Sequence, residues 1–252
     1  MKDGKMRTFI KYISSKDQME VAVLYSGGKD STYAIEKCLQ KKWKIKYLLS
    51  IKPTRNDCYL FHYPTVELTK ELSQILGLKH IYAPCDVADP VQEAKIVRDI
   101  VAQNPVDALV LGGVGLQETQ LRSLREAVFD LGVEVLASHM GEDHEKLVRE
   151  MIEKGYDIRI TQVAVDGLGK SWVGKKISKE TFQQLKKASE QFGFHIGAEG
   201  GHYDTLVVDG PIFTKKLEIT SSEVHMEDEL CGHLKVKGFT IVDKNPVLRS
   251  VY

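Results

Sequence analysis

Six consecutive residues near the start of the chain, Ser26-Gly27-Gly28-Lys29-Asp30-Ser31, have the types and order needed to hold a polyphosphate. Gly27 and Gly28 carry no Cβ, so the backbone can turn sharply there and approach an anion closely. An apolar run, Val21–Tyr25, leads into them, and Ser31–Lys41 continues with helical spacing. A helix starting at this point aims its unpaired N–H groups and the positive end of its dipole at the anion. Ser26 and Ser31 add hydroxyl donors and Lys29 adds a positive charge. Asp30 can cap the helix or help hold Mg²⁺. A plain glycine turn with an Asp/Ser helix cap uses similar residues, but it does not require all six positions between a strand and a helix.

A second informative segment runs from Ala198 to Phe213, AEGGHYDTLVVDGPIF. Read alone, it is a glycine turn entering a strand, with Glu199 and Asp204 as solvated loop charges. Two other glycine patterns carry no chemistry. Gly169-Lys170-Ser171 has Ala164 where a Walker motif needs glycine, and Gly113-x-Gly115 has Glu118 where a dinucleotide fingerprint needs its third glycine. Gamma-phosphoryl transfer is therefore not expected.

The first segment resembles the SGGxDS pyrophosphate loop of the N-type ATP pyrophosphatases. The second resembles the GEGGEYET…DGPLF signature of the diphthine–ammonia ligase family, and Gly167-Leu168…Ser171-Trp172-Val173-Gly174 is similar to that family's GL…WLG segment. Order and spacing agree over about residues 20–220. The resemblance implies that ATP loses pyrophosphate as a carboxylate on a modified histidine of elongation factor 2 is adenylylated, and that ammonia then displaces AMP. It implies that Ser26, Gly27, Gly28, Lys29, Asp30 and Ser31 hold the ATP phosphates, with Mg²⁺ bridging them near Asp30. Ser50 and Ile51 would lie near the adenine, and Gly112 and Gly113 would let the nucleotide approach the sheet. Glu199, Gly200, Gly201, Tyr203 and Thr205 would line the substrate side, with Glu199 positioning ammonia or accepting a proton. His62 and Gln120 join them as substrate-pocket residues. Lys29, Asp30 and Glu199 are the expected catalytic residues. The chain departs from the family pattern at Ala198, His202 and Asp204, and at Thr119-Gln120-Leu121-Arg122-Ser123, where only Gln120 of the family's YQRxR segment keeps its place. Two rival readings are a tRNA-modifying ATP pyrophosphatase and a non-catalytic nucleotide-binding protein.

These residues need a scaffold, and the spacing predicts one. Short apolar runs at Val21–Tyr25, Ile45–Ile51, Lys79–Ala83, Ala108–Leu111 and Val133–Leu136 alternate with helical stretches at Val66–Leu76, Pro90–Gln103 and Gln120–Leu131. This pattern is that of a Rossmann-like α/β fold, a parallel sheet with helices on both faces and ligands at the carboxyl ends of the strands. The second half has fewer helices (Asp143–Lys154, Ser178–Phe192) and more strands, which predicts a smaller C-terminal α+β domain. The expected division is a polar lead-in over residues 1–19, a nucleotide-binding domain over 20–140, a substrate-binding domain over 141–242 and a tail over 243–252.

Composition narrows the classes further. Lysine plus arginine equals aspartate plus glutamate at 35 each, so there is no basic excess of the kind nucleic-acid coats carry. No apolar run reaches the roughly 18 residues a membrane span needs, and the first residues lack a signal-peptide core. A cytoplasmic protein is expected. Four cysteines without a CxxC pair argue against a disulfide framework or zinc ribbon. His225, Cys231 and His233 read as surface residues at a late turn, with a metal site as the alternative. His139 and His144, five apart, would not share one helical face. With no cysteine nucleophile placed for an amidotransferase, free or partner-delivered ammonia is the expected nitrogen source, and a homodimer is left open.

Overall fold

The computed structural model describes residues 18–55, 61, 65–112 and 118–244. Five strands form a parallel sheet: β1 (Glu20–Leu24), β2 (Lys44–Pro53), β3 (His80–Cys85), β4 (Ala108–Leu111) and β5 (Glu134–Ala137). Their spatial order is β3-β2-β1-β4-β5, so the chain reverses direction across the sheet between β1 and β4. The crossovers carry α1 (Lys29–Gln40), α2 (Thr69–Leu76), α3 (Pro90–Gln103) and α4 (Glu118–Val128). This is the Rossmann-like arrangement expected, and a crevice opens at the switch point.

Period-two alternation explains how the sheet is covered on both faces. Val21, Val23, Leu48, Ala108 and Val110 point into one core. Ala22, Tyr47, Leu49, Ile51, Leu109 and Leu111 point into the other. The first of these cores does not stop at the parallel sheet. It continues through Ile158, Ile160, Val163, Tyr203 and Leu206 of a second sheet.

That second sheet is antiparallel. It contains β6 (Asp157–Ala164), β7 (Tyr203–Asp209), β8 (Lys215–Met226) and β9 (Cys231–Asp243) in the order β7-β6-β9-β8. Helices α5 (His144–Glu153) and α6 (Lys179–Phe192) belong to this half. Local chemistry fixes their ends. Asp143 accepts from the N–H groups of Glu145 and Lys146, and Ser178 accepts from that of Thr181. Asp89 caps α3 in the same way, with Pro90 at its first turn.

Three features differ from the sequence expectation. Val66–Leu68 is a separate 3₁₀ turn ahead of α2, and Phe129–Leu131 is a 3₁₀ turn closing α4. The β8–β9 hairpin is also longer than the strand-like runs Lys216–Thr220 and Leu234–Val242 of the sequence, because cross-strand pairing extends through Ser221, Ser222 and Glu223. Those residues are exposed on both sides and carry no hydrophobic signal.

Candidate active site

The phosphate-type loop turns out of β1 and into α1. Gly27 adopts φ +82°, and a Cβ there would stand 3.1 Å from Leu206. Gly28 caps α1 without any side-chain hydrogen bond of its own. The two serine hydroxyls lie 3.1 Å apart and brace the turn, with Ser31 Oγ donating to the Gly28 carbonyl. The helix N-terminus therefore faces the crevice with its dipole unopposed by a capping carboxylate.

The second half of the chain supplies the opposite wall. Val207 N–H donates to the Gly27 carbonyl, and Lys29 N–H donates to Thr205 Oγ1. Lys29 is 2% exposed, and its ammonium donates to the Gly197 carbonyl at 2.6 Å and to Asp30 Oδ2 at 2.8 Å. Burial opposes the charge on Lys29, but Asp30 with Tyr203 and Glu199 outweighs it and raises the pKa. Burial likewise works against the Asp30 carboxylate. The adjacent Lys29 ammonium and His139 overcome it and hold the carboxyl well below the usual range.

Thirteen of the expected residues line one cleft at the carboxyl ends of the strands. From the first half come Ser26, Gly28, Lys29, Asp30, Ser31, Ile51, Gly112 and Gln120. From the second come Glu199, Gly200, Gly201, Tyr203 and Thr205. Gly112 is fitted to its place, since a Cβ there would stand 2.5 Å from Ser31 N. Gly27 lies just beneath, packed on Leu72 and Leu206. Ser50 is different. It is fully buried, and its hydroxyl donates to the Tyr25 carbonyl and meets His80 Nε2 at 2.9 Å, so it holds β1 to β2 rather than facing the cleft. Tyr203 donates its hydroxyl to the Ile196 carbonyl, and burial pushes that hydroxyl up to about 12. Arg122 is exposed. His62 and Gly113 lie outside the described residues.

Histidines at this site were not legible as a group. His139 sits in the turn before α5 and His144 is the first residue of that helix, so the two rings approach to 6.3 Å without sharing a helical face. His139 Nε2 lies 3.8 Å from Asp30 Oδ1, and His144 Nδ1 lies 3.6 Å from Glu199 Oε1. His195 packs edge-on against His144 at 5.0 Å. No sequence signal joins positions 139, 144 and 195, because only tertiary packing brings α5 onto the loop after α6.

Elsewhere, His225 and His233 face each other across the β8–β9 hairpin. Among the described residues, no three His, Cys, Asp or Glu side chains are grouped to hold a metal ion. Cys38, Cys85 and Cys231 are free thiols. Trp172 packs partly against the core, with Lys175 over its ring. Among the described residues, no helix is long and apolar enough to cross a membrane.

Comparison with known proteins gives a consistent result. Residues 19–133 match the family model described as the diphthamide synthase N-terminal domain, and residues 143–242 match that of the diphthamide synthase C-terminal domain. The human protein named diphthine–ammonia ligase is 28% identical over 230 residues, covering 82% of this chain and 85% of its own. The zebrafish (Danio rerio) protein of that name is 28% identical over 255 residues, covering 91% and 99%. That of the rat (Rattus norvegicus) is 26% identical over 254 residues, covering 90% and 94%.

Proposed function

The chain belongs to the diphthamide synthase family, and from that premise we infer that it joins ammonia to diphthine on elongation factor 2, cleaving ATP to AMP and pyrophosphate. The observation that carries this reading is the meeting of the two motifs in one cleft. Lys29, from the phosphate-type loop, donates to the carbonyl of Gly197, next door to the AEGGHYDT turn.

In this reading the N-terminus of α1, the hydroxyls of Ser26 and Ser31 and the Lys29 ammonium receive the phosphates and stabilise charge as pyrophosphate leaves. Gly112 lets the nucleotide lie close to the sheet, and Ile51 supplies an apolar contact toward the adenine. The diphthine carboxylate enters from the side of Gly200 and Gly201 and attacks the α-phosphorus. Ammonia then attacks the resulting acyl-adenylate, with Glu199 beside it.

The residues fit a magnesium ion. Asp30 Oδ1 is a buried carboxylate oxygen without a hydrogen-bond partner, and magnesium is commonly held by one or two carboxylates together with substrate phosphates. Bound there, Mg²⁺ would neutralise charge on the phosphates. Asp30 would hold it, while its other oxygen stays with Lys29. A cytoplasmic setting, where elongation factor 2 works, accords with this reaction.

The test is formation of AMP and pyrophosphate from ATP in the presence of magnesium, ammonium and elongation factor 2 carrying diphthine. Mass spectrometry would follow conversion of the carboxylate to an amide on the factor. Coupled AMP release and amide formation support the reading. Pyrophosphate release without amide on the factor would assign the protein another acceptor.

A further inference from the structure

Near neutral pH dissolved ammonia is mostly ammonium, whose lone pair is occupied by a proton and cannot attack an acyl-adenylate. A site working at that pH gains if it removes the proton itself and has somewhere to send it. Glu199 is placed for the first task. It lines the cleft, is 5% exposed, and is a carboxylate that can receive a cation there.

The second task falls to the group directly behind it. His144 Nδ1 is buried without a hydrogen-bond partner and lies 3.6 Å from Glu199 Oε1. The fit is close: a Cβ on Gly197 would stand 2.7 Å from both Cβ and Nδ1 of His144. Beyond His144 the path opens outward to His195, which is exposed. His195 Nδ1 accepts from the N–H groups of Gly197 and Glu199, so the same ring fixes the turn that carries the carboxylate.

We propose that His144 is the proton acceptor behind Glu199 when ammonium is the nitrogen donor in the reaction inferred above, on which this assignment rests. Glu199 takes one proton from ammonium, leaving ammonia with its lone pair free in the cleft. The proton passes from the Glu199 carboxyl to His144 Nδ1, restoring the carboxylate, and then to solvent past His195. Ammonia forms the C–N bond as the C–O bond to AMP breaks, and the second proton lost from nitrogen follows the same route. His144 acts through Glu199 and touches no substrate, so it is a positioning and proton-accepting residue. The groups facing it are Glu199 and His195 from the loop after α6, and His139 from the preceding turn. The Lys29 ammonium lies nearby on the Gly197 carbonyl.

The test compares two nucleophiles on the full-length protein. Hydroxylamine is uncharged near neutrality and needs no proton removed before attack. In His144→Asn, the ratio of amide formed from ammonium to hydroxamate formed from hydroxylamine should fall at least about tenfold at neutral pH. The ratio should return toward wild type at alkaline pH, where free ammonia predominates. Damage to folding or to adenylylation lowers both products together and leaves the ratio unchanged, and an unchanged ratio overturns the proposal. A second measurement stands apart from the acceptor's identity. By NMR at neutral pH, the ring nitrogens of His144 should respond to Glu199→Gln, since the carboxylate faces Nδ1 at 3.6 Å. A His144 ring indifferent to Glu199 overturns the proposal even if amide is made. If wild type makes neither amide nor hydroxamate while the ring responds, the acceptor assignment fails and the pair stands.

Discussion

The ammonium of Lys29 lies 2.6 Å from the carbonyl oxygen of Gly197, 168 residues further along the chain. This hydrogen bond spans the cleft between the two sheets, so the charge that meets the leaving phosphates is positioned by the half of the molecule that faces the acceptor. It also leaves the Lys29 side chain little freedom, since Asp30 occupies a second donor.

Replacing Lys29 is expected to act on chemistry and stability separately. Lys29→Ala should lower pyrophosphate release about 100- to 1,000-fold, the usual effect of deleting one donor to developing charge. It also leaves Asp30 without its ammonium partner, which should destabilise the fold by about 3 kcal/mol. Adding Asp30→Asn should restore stability without restoring the rate. Chemical denaturation alongside a pyrophosphate assay would show whether the two effects separate.

Gly112→Ala is expected to impair both nucleotide binding and folding. The new methyl would meet backbone, Ser31 N at 2.5 Å and the Asp30 carbonyl carbon at 2.6 Å, and neither can rotate aside. Overpacking of this kind costs about 1–3 kcal/mol. The strain falls on the first turn of α1, so affinity for ATP should drop in calorimetry. A variant that binds ATP as wild type does would show that β4 can move away from α1 freely.

Ala198→Gly should stabilise the protein by about 0.5–1 kcal/mol. Ala198 has φ +69°, a left-handed conformation that disfavours any Cβ, and glycine removes that cost while adding some freedom to the unfolded chain. The resemblance places a glycine here in the family signature. Urea unfolding should show a higher midpoint with the slope unchanged. A lower midpoint would mean that Ala198's methyl contributes more through packing than its backbone loses.

Acid should weaken the fold partly through His80. Burial, with Lys70 nearby, pushes this imidazole down from 6.5 to about 4. The unfolded chain therefore binds more protons between these values, and stability falls as pH drops from about 6.5 toward 4. His80→Gln keeps a donor for Ser50 Oγ and removes the titration. Over that interval wild type should lose about 1–3 kcal/mol more than the variant. Parallel pH profiles would show that His80 titrates alike in both states.

The parallel sheet was largely legible because its central strands β1 and β4 are apolar runs buried on both faces. Pro90–Gln103 matches at both ends, where Asp89, Pro90 and Asn104 mark the limits chemically. The β8–β9 hairpin was legible only in its apolar patches, since its middle is held by backbone pairing between polar residues. At the cleft, residues inside the two motifs announced themselves through glycines and charges at fixed intervals. Ser50 did not separate from Ile51, because neighbouring positions on a strand face opposite ways and only the register of β2 decides which faces ligand. His144 was visible as a residue but not as a neighbour of Glu199. That relation depends on where α5 docks, and no local pattern encodes it.

The bonds from Lys29 to Thr205 and from Val207 to Gly27 carry a consequence for the order of synthesis. The phosphate-type loop leaves the ribosome early, and β1 to β5 can pair behind it. Its facing wall does not exist until residues 197–207 have emerged. A nascent chain can thus assemble the nucleotide sheet long before it can close over a nucleotide, and the ability to spend ATP arrives only with the part of the protein that recognises what the ATP is for.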